Sequence, residues 1–199
     1  MQLEGRVAVV TGAARRLGRA IALALADGGA DLVLHVHTSS GEALAQEIRQ
    51  RGRQATVVQA DLTRSAEVQQ LSDNALKLHG RVDILVNNAA IFYPTPLATL
   101  TAAEWREMIR TNLTSAFCLG VSLGQVMRRQ GEGKIIQLGD WSGLRPSAGY
   151  LAYCVSKAGV QALSLALAKA FAPEVQVNTV APGPVLPPHT YDAQDVERL

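Results

Sequence analysis

The chain has 199 residues, 48% of them hydrophobic and 18% charged, which is enough for one sizeable core and short for two domains. Its net charge is +2 and no run of Lys or Arg exceeds a pair, so it lacks the basic stripe of a nucleic-acid binder. Glu4 and Arg6 precede the first apolar run, leaving no room for a signal peptide. No uninterrupted apolar stretch approaches the roughly 20 residues of a membrane span, so a cytoplasmic protein without a membrane partner is expected. Cys118 and Cys154 lie in apolar, helical segments and read as free thiols, with neither a disulfide nor a metal site suggested.

In chain order, Arg6 to Val10 reads as a first strand and Leu17 to Ala26 as a helix. Leu32 to Val36 and Glu42 to Arg51 repeat the pair. Thr56 to Gln59 with Ser65 to Leu78, then Ile84 to Val86 with a long helix from Ala103 to Arg129, continue it. Lys134 to Leu138, a helix from Tyr153 to Phe171 and a strand from Val175 to Val180 complete the described repeat. Gly28-Gly29, Gly52 and Gly80 stand where the first three helices should stop. Strands without polar alternation are covered on both faces, so the expected fold is α/β: a Rossmann-like, doubly wound parallel sheet with helices on both faces. A single dinucleotide-binding domain over residues 1–199 is the working division.

Directly after the first strand comes Thr11-Gly12-Ala13-Ala14-Arg15-Arg16-Leu17-Gly18, a turn opening a helix, where a dinucleotide pyrophosphate should lie. Gly12 permits the turn and Gly18 close packing of helix on sheet. The second strand ends His35-Val36-His37-Thr38-Ser39-Ser40, with its nearby acid, Asp31, at the far end. Without a carboxylate for the ribose hydroxyls, and with Arg15 and Arg16 in the adjoining turn, NADP(H) is favoured over NAD(H). The plainer alternative makes His35 and His37 ordinary strand residues and the arginines a solvated helix start.

The turn from Thr11 to Gly18, Asn87-Asn88-Ala89-Ala90 after the fourth strand, Asn112 in the long helix, Tyr153-Cys154-Val155-Ser156-Lys157 and Pro182-Gly183 together resemble the short-chain dehydrogenase/reductase family. Three departures from its usual pattern resemble the pteridine reductases, including the bacterial dihydromonapterin reductases. Arg16 stands where most members have Gly. Asp140, thirteen residues before Tyr153, stands where most have a catalytic Ser, and Ile91-Phe92-Tyr93-Pro94-Thr95-Pro96 follows the Asn-Asn-Ala turn.

The resemblance implies catalytic roles for Asp140, Tyr153, Lys157 and Asn112. It implies cofactor contacts from Gly12, Arg15, Arg16, Leu17, His37, Thr38, Ser39, Asp61, Leu62, Asn88, Ala89, Lys157, Pro182 and Gly183. Arg16, Phe92 and Tyr150 would contact substrate. Tyr153 and Lys157, four apart, share a helix face, and the cation should draw the phenol toward a useful acidity. Asp140 would assist protonation of a ring nitrogen, with Ser142 the competing hydroxyl and a turn-capping Asp the plainer role. Phe92 would stack on a flat heterocycle or, alternatively, plug the core. Asn112 would tie its helix to the active-site strand through a water or simply mark a kink, and Asp61 would flank adenine or cap a helix.

The implied activity is NADPH-dependent reduction of a pterin, the alternatives being a general carbonyl or 3-oxoacyl reductase and an inactive NADP-binding module. The nearly all-apolar Tyr153–Phe171 helix needs cover on two sides, so a homodimer or homotetramer built on it and on Ala103–Arg129 is expected. Family members continue past the Pro-Gly loop with further helices and a last strand, so the chain is expected to be shortened at its C-terminus.

Overall fold

A computed structural model describes residues 3–183 and 185. Six strands, β1 (Val7–Val10), β2 (Asp31–Val36), β3 (Ala55–Gln59), β4 (Ile84–Asn87), β5 (Gly133–Leu138) and β6 (Val175–Val180), form one sheet in the order β3-β2-β1-β4-β5-β6. Every neighbouring pair is parallel. The chain starts in the middle, winds outward to β3, then returns to β4. The order therefore reverses between β1 and β4, and at that point the carboxyl ends of the strands open a crevice.

Both faces are covered, as the unalternating strands predict. Ala8, Val10, Leu34 and Val86 point to one core with α1 (Arg16–Asp27) and α2 (Glu42–Gln50). Val9, Leu85, Ile135 and Val177 point to the other, beneath α3 (Ser65–His79), α5 (Ser115–Gln130) and α6 (Leu151–Phe171). Small residues set the spacing of the last two helices. A Cβ at Gly120 would stand 2.9 Å from a Leu167 methyl, and one at Gly124 2.5 Å from the Phe171 ring, so α6 lies closer to α5 than alanine would permit. By length and composition α6 could cross a membrane, but Tyr153, Lys157, Val160 and Phe171 are buried along it.

Most boundaries fall within two residues of expectation, and one element differs in kind. The expected helix from Ala103 to Arg129 is two helices, α4 (Ala102–Ile109) and α5, joined by a π-helical turn at Arg110–Thr114. Asn112 lies in that turn. Its side chain bonds Ile91 and Ser156 outside the helix as well as Met108 Sδ one turn back, and the wider turn is the local accommodation. Position 184, the prolines at 187 and 188 and the polar end from 192 to 199 lie outside the described residues.

Candidate active site

The phosphate turn is held from below. Thr11 Oγ1 accepts the amides of Asn88 (2.9 Å) and Ala89 (3.0 Å), and Asn88 Nδ2 donates to Thr11 O at 2.8 Å. Gly12 has φ +64°, and a Cβ there would press on Ala89 Cα at 3.1 Å. At Gly18 a Cβ would overlap Gly12 O and approach Asn88 Nδ2 to 2.6 Å, which explains why the first turn of α1 needs glycine at that position. Asn88 and Ala89 therefore brace the turn. No side chain caps the start of α1, so its first amides are oriented for an anion. These features fit a dinucleotide pyrophosphate, with Leu17 among the first residues of the helix. Arg16 has φ +50°, the left-handed region in which a non-glycine residue costs about 1 kcal/mol.

Beyond the turn, Arg15, Arg16, His37, Thr38 and Ser39 are all exposed at the carboxyl edge. Asp31, at the opposite end of β2, accepts the Gln54 amide. Asp61 and Leu62, two further expected cofactor contacts, lie just past β3. Asp61 Oδ1 accepts the amide and hydroxyl of Thr63 at 2.9 and 2.7 Å, contacts that hold its carboxyl below the ordinary range, and it pairs with Arg64. Leu62 is buried in the core under α3. Asp61 thus shapes the turn before α3 and does not cap the helix, whose N-cap is Arg64.

At the other side of the crevice, Tyr153 Oη donates to Asp140 Oδ2 at 2.8 Å. Asp140 Oδ1 accepts the Ser142 amide at 2.8 Å, which fixes the carboxylate just past β5. Lys157 Nζ, 4% exposed as a residue, donates to Leu138 O at 2.6 Å and lies 5.7 Å from the centre of the Tyr153 ring. Burial pushes the Lys157 ammonium down to about 8, against the opposing pull of Asp140. Tyr153 differs from expectation. Burial first, and then the charge and hydrogen bond of Asp140, raise its phenol well above the ordinary value, so it is held as a protonated donor and not drawn toward phenolate. Ser142 Oγ is buried without a partner among the described residues and does not reach Tyr153 by a hydrogen bond.

The surroundings fix this pair. Asn112 accepts the Ile91 amide at 2.9 Å and donates to Ile91 O and Ser156 Oγ at 3.0 and 3.1 Å. It ties the loop after β4 directly to α6 and makes no hydrogen bond to Tyr153 or Lys157. Phe92, 58% exposed, is no core plug. Its ring stacks parallel on Tyr150 at 4.6 Å and meets Tyr153 edge-on at 4.7 Å. Pro182 O accepts the Trp141 amide, so the Pro182-Gly183 loop lies against the Asp140 segment.

Thr95 is a site residue that sequence reasoning missed. Its hydroxyl accepts the Ala152 amide at 3.1 Å, and its backbone bridges Tyr150, so it caps the first turn of the helix that carries Tyr153. A cap 57 residues from its helix leaves no local sequence signal.

With this geometry in view, the chain belongs to the short-chain dehydrogenase family, whose model matches residues 6–197. It is 38% identical over 184 residues to a 3-oxoacyl-acyl-carrier-protein reductase of Synechocystis, covering 91% of this chain and 74% of that one. It is 36% identical to the corresponding Escherichia coli reductase, covering 92% and 75%. Among solved structures, a protein assigned as a short-chain alcohol dehydrogenase from Sinorhizobium meliloti superposes with a TM-score of 0.92 at 30% identity, over 99% of this chain and 80% of that one. The chain is thus an oxidoreductase of a family that uses nicotinamide cofactors.

Proposed function

We propose that this oxidoreductase uses NADPH to reduce a C=N bond in a flat nitrogen heterocycle of the pterin type. The observation that carries this reading is the carboxylate of Asp140 on the hydroxyl of Tyr153. In carbonyl reduction negative charge develops on oxygen, and a carboxylate beside it is repulsive. In C=N reduction the acceptor is a nitrogen, and pterin-like rings carry N–H groups beside it. Each oxygen of Asp140 accepts one hydrogen bond from the chain and keeps a lone pair for such a donor. Phe92 supplies an exposed ring at the mouth for a planar ligand.

The nicotinamide supplies the hydride. Tyr153, kept protonated by burial and Asp140, would turn its hydroxyl from Asp140 to the ring nitrogen and give up its proton there, while Asp140 holds the phenol at the site until substrate enters. Lys157 brings a buried cation beside the pair. Arg15, Arg16, His37, Thr38 and Ser39 would take the 2′-phosphate that distinguishes NADP(H), and a cytoplasmic enzyme accords with that choice. Exposed Phe117 on α5 and Val155 and Leu165 on α6 support an assembly of identical copies through these two helices.

A second reading, reduction of a 3-oxoacyl or other carbonyl group, is favoured by the activities for which the Synechocystis and E. coli relatives are named. The two separate in one assay of NADPH oxidation with dihydrobiopterin and with a β-ketoester. Pterin turnover lost in Asp140→Ala supports the first reading. Ketoester turnover alone establishes the second.

A further inference from the structure

The crevice contains a buried imidazole that none of these steps uses. His35, 1% exposed on β2, accepts the Gly12 amide on Nδ1 at 3.1 Å, while its Nε2 lies 3.0 Å from Ala60 O at the end of β3. Its own backbone oxygen accepts the Ala13 amide at 2.9 Å. One residue thus takes the amides of Gly12 and Ala13 and fastens the phosphate turn to β2 and to the end of β3. Because a backbone N–H only donates, Nδ1 must be bare, and because a carbonyl only accepts, Nε2 must carry the proton.

We propose that neutral His35, as the Nε2–H tautomer, is the positioning residue that holds the phosphate turn in its cofactor-binding shape. Its protonation releases that shape. A proton on Nδ1 would set two donors, imidazole and Gly12 amide, against each other, and the turn would have to move. Moving Gly12 also disturbs Gly18 and Asn88, which are packed on its oxygen. The charged and titratable groups at this corner are His37 just after β2, Asp61 just after β3, Arg64 and Glu67 at the start of α3, and Arg15 and Arg16 in the turn. Burial, with a smaller repulsion from His37, keeps His35 below its ordinary value against the opposing hydrogen bond to Ala60, so the neutral form is the resting one. Dinucleotide affinity is therefore fully present near neutrality and weakens as pH falls below the ordinary range of histidine.

The inference rests on the nicotinamide dinucleotide binding at this turn, but its test does not rest on turnover. Nitrogen-15 correlation spectra of the imidazoles resolve the tautomer, and with four histidines in the chain the His35→Asn spectrum assigns the signal. The expected result is Nε2–H at pH 7. NADPH titrations followed by nicotinamide fluorescence should then show His35→Leu, folded by circular dichroism, binding about ten-fold more weakly. Asn places an oxygen where Nδ1 lies. His35→Asn should stay within about three-fold of wild type and lose the acid-side weakening. Comparing the two proteins with the same nucleotide cancels titration of its own phosphate. An Nδ1–H tautomer, wild-type affinity in a folded His35→Leu, or an unchanged acid limb in His35→Asn would overturn the proposal. A wild-type protein that shows the Nε2–H tautomer but binds no NADPH would instead count against the cofactor reading.

Discussion

Two aspartates at opposite ends of the sheet show what separates a structural carboxylate from a working one. Asp83, before the amino end of β4, is 3% exposed and saturated with donors. Arg6 Nη1, the Val7 amide and Arg81 all bond it, and Arg6 continues to Glu132. Burial alone would raise its carboxyl, but those donors outweigh burial and hold it below the ordinary range. Asp140, at the carboxyl end of β5, has one backbone amide and one phenol. Its effect is exported. It raises Tyr153 and opposes the loss of charge on Lys157. The first aspartate is spent on holding the chain, and the second retains acceptor capacity beside a protonatable partner.

The sharpest way to break the comparison is to remove one member of each region. Tyr153→Phe should lower kcat by about a thousand-fold with little change in thermal midpoint. Asp83→Ala should do the reverse. It removes the acceptor of the buried Val7 amide and the nearer partner of Arg81, while Arg6 keeps Glu132, so a loss of about 2 kcal/mol and roughly 6 °C is expected by calorimetry, with near-normal kcat in the folded fraction. The Asp83 contribution should fade as pH falls through its lowered folded value, since the unfolded carboxyl takes up protons first.

Lys157→Met tests whether the working end carries a cost. The folded ammonium sits at about 8 against 10.5 in the open chain, so below pH 8 its burial disfavours folding by about 3 kcal/mol, offset by about 1 for its hydrogen bond to Leu138 O. The variant should lose activity yet melt higher by about 5 °C at pH 7. A lower midpoint would show that the hydrogen bond outweighs the buried charge. The smallest effect is on pH. In wild type kcat/KM should decline as pH rises through about 8, where Lys157 loses its proton, and a flat profile to pH 10 would contradict a role for that cation.

Much of this was legible in the sequence because it is local. Unalternating strands, Gly12 and Gly18 in the first turn, and the four-residue spacing of Tyr153 and Lys157 each encode a short-range requirement that the fold meets. What was hidden depends on distant contacts. A kink at Asn112 is among its expected roles, but the distant partners that hold it, Ile91 and Ser156, leave no local signal. Thr95 caps a helix far along the chain, and Leu62, in the turn between β3 and α3, is buried in the core under α3. The direction of the Tyr153 shift was also beyond sequence reasoning. It follows from burial and from which charge lies nearer, and that charge is Asp140.

On the proposed function, Asp140 commits this site to nitrogen acceptors. That commitment is tested most directly by the ratio of kcat/KM for dihydrobiopterin to that for a β-ketoester, measured with NADPH in wild type and in Asp140→Ser. Restoring the hydroxyl usual at this position should lower the ratio by about a hundred-fold, with ketoester turnover rising as pterin turnover falls. A ratio left unchanged by the substitution would contradict the account.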